Sequence, residues 1–462
     1  MRKTTKALLL IIGAVLFLQY ACRKIDMVAG NPEAEWLSGG AQTAFDGGSG
    51  AFSHLFNGMS AIQNRVHEVG DGQFSATFVT APAPLNPGLG PVYNNVSCIS
   101  CHVSDGRGKV PGLGESAANM LFRISLPGKG EQGAPLPVPG YGDQLQPRSI
   151  LGAVPEGDVA IRYTEQSYTF PDGTPYSLRS PEYSFKNLYM TMPANVLLSP
   201  RVAAPVFGLG LLEAVSESDI LSRVDPNDRN EDGIKGQANY VWDVLKQKKV
   251  LGRFGWKANQ PSILQQVAAA YNGDMGITNA LFPKESSEGQ TQSGGKPAST
   301  HYELSDSLLY SVEFYVKTLA VPARRNATSP VVLQGKTLFN QLGCVKCHTA
   351  DLRTQVNVAF PAISNQLIHP YTDLLLHDMG EGLADQRPDF DASGRQWRTA
   401  PLWGIGLTQK VNNHTNFLHD GRARNLLEAI MWHDGEAAPA KNQFSHLSKK
   451  DRDALISFLE SL

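Results

Sequence analysis

Cys98-Ile99-Ser100-Cys101-His102 and Cys344-Val345-Lys346-Cys347-His348 are the two stretches from which the rest of this 462-residue chain is best read. In each, two thiols stand three apart and a histidine follows at once. That spacing matches covalent attachment of a c-type haem. The thiols add to the two vinyl groups of one porphyrin, and the adjacent imidazole reaches back under the ring as an axial iron ligand. A zinc site would need further Cys or His ligands at close spacing, and a redox dithiol gives no reason for a histidine at both places. Two covalently bound haem c groups are therefore expected, one on Cys98, Cys101 and His102, the other on Cys344, Cys347 and His348. With Cys22, these account for all five cysteines.

Outward from the motifs, the N-terminus reads as an export signal. Arg2, Lys3 and Lys6 precede an apolar run, Ala7 to Leu18, that is too short to span a bilayer comfortably. Ala21 then precedes Cys22, which resembles a bacterial lipoprotein signal in which that cysteine is acylated. Residues 1–21 are expected to be a signal peptide and 22–45 a lipidated tether. The expected location is the bacterial cell envelope, on the periplasmic side, with a membrane contact through the lipid anchor. No other run reaches 18 apolar residues. The formal charge is only -2 and charged residues are 18%, so no basic surplus points to nucleic acid. The 44 glycines and 29 prolines indicate a globular chain with much loop.

Leu309, Val312, Val316 and Leu319 share one helical face, and Pro322 closes a helix predicted over about 305–319. Val332 to Leu342 reads as another helix, followed by Gly343 and the second motif. Ser448 caps a further helix, with Asp451 three residues on and Leu455, Ile456, Leu459 and Leu462 on its buried face. Residues 105–180 are Gly- and Pro-rich without a helical period and read as loop with short strands. The expected fold class is mainly α: two cytochrome c-like haem domains with long loop-rich insertions and minor β. The boundaries expected are 46–325 for the N-terminal haem domain and 326–462 for the C-terminal one.

Longer runs carry a family resemblance. Phe417-Leu418-His419-Asp420-Gly421-Arg422 resembles the loop signature of bacterial di-haem cytochrome c peroxidases. Gly208 to Glu213, Gly252 to Trp256, Asp274 to Thr278, Tyr371 to Gly380, Trp397 to Thr399 and Trp432 to Glu436 narrow the match. Together they resemble the di-haem oxidoreductase family, also labelled thiol oxidoreductase-like, from about residue 46 onward.

The resemblance implies one haem closed by two ligands for electron transfer and one left open for chemistry. The second ligand of the closed haem falls on His433, which shares an apolar face with Leu426 and Ile430; Met379 is the alternative. His419 is read as a pocket residue at the haem edge and Arg422 as a partner for a haem propionate. For the first haem, His54 and His67 are the upstream candidates, and the simplest reading is an open iron. Relatives place a Trp between the haems, a Gln ten residues on, and a Glu just before a Met. Here these are Trp256, Gln266 and Asp274, with Asp where relatives have Glu. Trp256 would relay an electron, and the carboxylate would move a proton between peroxide oxygens. Glu213 is a spare acid.

Asp228, Asn230 and Asp232, followed by Gly233, form the first half of an EF-hand-like ligand set, which makes calcium a further candidate. The function expected is a peroxidase-like di-haem oxidoreductase, taking electrons from a donor protein or small cytochrome and acting on a peroxide-like small substrate. The alternatives are a pure electron carrier and a haem-based sensor.

Overall fold

The computed structural model describes residues 35–112, 119–293 and 302–462. Cys22, the expected signal peptide and the start of the expected tether lie outside the described residues. From Glu35 onward the tether stretch is part of the folded body. Glu35 pairs with Arg324 (2.6 Å) and Lys336 (2.6 Å), and Thr43–Ala44 runs as a parallel strand beside Val321–Pro322. No helix among the described residues is long and apolar enough to cross a membrane.

Two helix pairs support the two motifs, and they follow one plan. The helix Ala61–Ser75 starts at a reciprocal cap, in which Ser60 accepts from the Gln63 amide and Gln63 from the Ser60 amide. It crosses Asp306–Lys317 at Gly70, where a Cβ would stand 2.7 Å from the Cβ of Tyr315 and inside the shell of the Ser311 carbonyl. In the second half, Pro330–Gln341 crosses Lys449–Ser461 at Gly335, where a Cβ would stand 2.7 Å from the Cβ of Phe458 and inside the shell of the Ala454 carbonyl. Only glycine lets two helices approach this closely.

Four residues after each glycine comes a phenylalanine that touches the motif histidine. The rings of Phe74 and His102 lie 6.0 Å apart, and those of Phe339 and His348 6.2 Å apart. Each phenylalanine also packs on an aromatic of the crossing helix, Tyr315 at 5.3 Å and Phe458 at 5.1 Å. Gly343, at φ +83°, ends the second half's entry helix and turns the chain straight into Cys344.

The remainder corrects the expected fold class. Helix accounts for 29% of residues and strand for 20%, so the chain is a loop-rich mixture and not a mainly α pair of cytochrome c-like domains. Asp158–Thr169 and Pro175–Lys186 form one long antiparallel hairpin, in register from Asp158 opposite Lys186 to Thr169 opposite Pro175. Met120–Lys129 lies between Pro135–Leu136 and Leu197–Val202 in a three-stranded antiparallel sheet. Within 105–180, read as loop with short strands, Met120–Lys129 and Asp158–Thr169 are instead long strands of 10 and 12 residues. The hairpin is not independent of the second half. Phe170 at its tip is buried among Phe339, Phe444 and Phe458, under the Arg452 guanidinium at 3.9 Å.

Candidate functional site

Each motif opens onto its own cavity, of ≈ 250 Å³ at Cys98–His102 and ≈ 360 Å³ at Cys344–His348. Both motifs close a tight turn, with His102 N–H donating to the Cys98 carbonyl and His348 N–H to that of Cys344, each at 3.0 Å. The rings are then fixed by their outer nitrogens. His102 Nδ1–H donates to the Ala204 carbonyl (2.8 Å) and His348 Nδ1–H to that of Tyr371 (3.0 Å). This leaves Nε2 of each as a free lone pair, the arrangement a metal-ligating histidine uses. Burial pushes both imidazoles down, His102 to about 4 and His348 to about 3, so both are neutral at ordinary pH. Burial also pushes the Cys98 and Cys344 thiols up to about 12, so they are weak nucleophiles without a catalyst.

In the second cavity His433 faces His348, with ring centroids 6.5 Å apart. Its Nδ1–H donates to the Ala429 carbonyl at 2.7 Å, so Nε2 is again free. Two imidazoles on opposite sides of one metal, each bonded at about 2.0 Å, place their centroids about 6 Å apart. The observed separation would leave room for one metal ion held by both rings. Met379 is also on the wall.

His419 lines this cavity and lies flat on Trp397 at 3.7 Å, with Lys257 Nζ 4.2 Å from the Trp397 ring centroid. His377, which the sequence reading did not single out, also lines it. Asp373 Oδ2 and Glu436 Oε2 each sit 2.8 Å from one of its nitrogens. Burial opposes its charge, but Asp373, Cys347 and Glu436 outweigh that and raise its pKa well above the usual histidine range. With both nitrogens engaged it offers no lone pair.

The first cavity differs. Among the described residues its only histidine is His102 and its only thioether is Met275. His54 and His67 are not on its wall. His54 pairs with Asp46 at 2.8 Å, and His67 Nδ1 bonds Thr318 Oγ1 at 2.8 Å. Trp256, Gln266 and Asp274, which the sequence grouped, all line the cavity. Trp256 lines the second cavity as well, its indole N–H donating to the Val202 carbonyl at 2.8 Å. Asp274 accepts from Gln144 Nε2 at 3.0 Å, and burial raises its carboxyl pKa against the pull of Arg123.

Three assignments move. Glu213 is not on a cavity wall. It accepts from the Ile263 amide (2.8 Å) and pairs with Lys317 (3.1 Å), holding the start of the helix Ile263–Met275. Arg422 lines neither cavity, because Asp420 holds its guanidinium at 2.8 Å over the Trp432 ring. In the calcium candidate, Asp228 accepts from the Gly233 amide, Asn230 from that of Asp232, and Asp232 from that of Ile234, while Lys346 Nζ donates to the Asp232 carbonyl. In this structure these side chains brace the loop's own backbone, and Lys346 reaches the Asp232 carbonyl. Among the described residues, no three His, Cys, Asp or Glu side chains converge on a metal position.

The family model described as "Di-haem oxidoreductase, putative peroxidase" matches residues 33–462. Among solved structures, hydrazine synthase of Kuenenia stuttgartiensis, pressurised with xenon, is similar at 14% identity and a TM-score of 0.34, over 88% of this chain and 95% of that one. No curated protein matches.

Proposed function

This chain belongs to the di-haem oxidoreductase family, and from that premise we propose that it reduces a peroxide at the Cys98–His102 cavity with electrons that enter through the Cys344–His348 cavity. One observation carries the reading, the inequality of the two cavities. The second has two neutral imidazoles facing each other at 6.5 Å, while the first has one imidazole and an array of polar side chains. A cavity closed by two ligands suits electron passage, and one with a free face suits chemistry.

Haem, which each cysteine pair would hold covalently, would supply the iron chemistry for the two-electron, two-proton reduction of a peroxide to two waters. The protein's part is placement and proton handling. His102 and His348, neutral and aimed by backbone carbonyls, would hold the iron beside each cysteine pair, with His433 facing it in the second cavity. Gln266 has no side-chain hydrogen bond among the described residues and lines the first cavity, so its amide is available to hold the substrate oxygen. Asp274, with its pKa raised by burial, holds a proton more readily than an exposed carboxylate and passes it between the two oxygens. Trp256, an aromatic side chain on both walls, carries charge between the cavities. The same reading takes Arg2 to Ala21 as an export signal and Cys22 as a lipid anchor, which favours a periplasmic location and a small redox protein as the electron donor.

The test is an electron paramagnetic resonance spectrum of the ferric holoprotein, repeated after one equivalent of hydrogen peroxide. The expected result is one high-spin and one low-spin signal, with peroxide consuming the high-spin one. Two low-spin signals, unchanged by peroxide in oxidised and half-reduced protein, would refute peroxide reduction. They would make the protein a carrier, with Met275 the first thioether to examine.

A further inference from the structure

Arg107 is buried and Arg398 half-buried, and each lines both cavities. Neither has a carboxylate within ion-pair distance among the described residues. Among the described residues the Arg107 guanidinium donates only to the carbonyls of Asn416 and Leu418, and that of Arg398 only to those of Gly255 and Thr399. The nearest acids are already engaged, Asp420 by Arg422 and Asp373 by His377. The other two arginines on the first cavity's wall are different, Arg201 being paired with Asp389 at 2.9 Å and Arg123 with Asp143 at 3.1 Å. The Arg107 guanidinium also lies over the Trp256 ring at 5.1 Å and the Phe417 ring at 5.9 Å, which holds its plane between the cavities. Burial lowers both pKa values to about 10, so both remain cations at neutral pH.

A buried cation without an anion is costly, and a guanidinium fork matches a carboxylate geometrically. We infer that Arg107 and Arg398 form one shared cationic clamp for the carboxylate edges of both prosthetic groups, so that the two haems present their acidic edges to the same pair of charges. This rests on the proposal that each cavity holds a haem, and it extends that proposal. The clamp makes Arg107 and Arg398 the propionate partners in place of Arg422. It also couples the two redox centres, because each cation favours the reduced, more negative state of both.

The experiment is haem quantification and optical redox titration of wild-type, Arg107→Met, Arg398→Met and Arg107→Lys holoproteins. Each Met variant is expected to keep two haems per chain and to lower both midpoint potentials. The expected size is about a tenfold fall in each reduction equilibrium, or 59 mV for a one-electron couple. Arg107→Lys keeps the charge and is expected to recover most of the shift. If only one potential moves, the clamp is not shared, and if neither moves, the carboxylates lie elsewhere; either overturns the inference. Fewer than two haems in the wild type would instead overturn the haem assignment itself. If Arg107→Met does not fold, Arg398→Met poses the same question.

Discussion

Gly70→Ala and Gly72→Ala make the same chemical change two residues apart on one helix, and they are expected to move stability in opposite directions. Gly72 is exposed, and nothing lies within 4 Å of where its Cβ would go. Replacing it with alanine removes backbone entropy from the unfolded chain and should stabilise by about 0.5–1 kcal/mol. Gly70 makes the same propensity gain, but its Cβ would sit 2.7 Å from the Cβ of Tyr315. Carbon atoms at rest stand about 3.5–4.0 Å apart, so the helices must part by about 1 Å. Overpacking of this kind costs about 1–3 kcal/mol.

The propensity term is common to both variants, so the difference between them measures the strain alone. The assay is urea unfolding of the two variants and wild type, comparing midpoints at equal slope. Because Tyr315 packs on Phe74, and Phe74 on His102, Gly70→Ala should also alter the absorption spectrum of the first haem and not the second. A Gly70→Ala protein as stable as Gly72→Ala, with an unchanged spectrum, would refute the close crossing.

His433→Ala should convert the low-spin haem signal to high spin and leave the other signal in place, as read by electron paramagnetic resonance; a low-spin signal that persists would assign that ligand elsewhere. Glu156 is buried, with Gln290 Nε2 at 2.6 Å and the Gln146 amide at 2.7 Å, and burial raises its pKa to about 8. The folded state therefore holds this proton more tightly than the unfolded chain. The resulting stability is fully present below about pH 4.5 and is lost up to about pH 8, at about 1.4 kcal/mol per pH unit. Glu156→Gln should remove that component of the slope, as measured by urea unfolding at several pH values; an unaltered slope would mean that Glu156 is ionised in the fold.

The motifs were legible because the pattern fixes three residues within a span of five, and the helices near 305–319 and after Ser448 because their apolar positions repeat at 3.6. Both appear close to where the pattern put them, at Asp306–Lys317 and Lys449–Ser461. The hairpin 158–186 was not legible. Its alternating Tyr163, Tyr183 and Phe185 sit among prolines and charges, and one face of the ribbon is largely exposed, so no apolar run announces it. Trp256, Gln266 and Asp274 were found through the family resemblance, and all three lie on one wall. Glu213 and Arg422 were misread because their partners are settled by packing: the Ile263 amide and Lys317 lie far along the chain, and Asp420 sits beside Arg422 only once the loop has closed. Arg107, Arg398 and His377 left no local signal, since what marks them is the presence or absence of a carboxylate supplied by tertiary structure. A Gly-x-x-x-Phe ahead of each motif was visible, but the second is five residues from its cysteine and the first is twenty-four away.

That disparity bears on how such a protein can change over generations. The glycine crossing and the phenylalanine behind each motif histidine form a support that is the same in both halves, while the segment between support and motif differs greatly in length. Whatever faces each histidine comes from other stretches, the His433 turn in one case and the helix Ile263–Met275 in the other. The foundations and the opposing walls are therefore separately editable. Selection can retune one cavity, closing it with a new side chain or opening it by losing one, without disturbing the mounting that both cavities need.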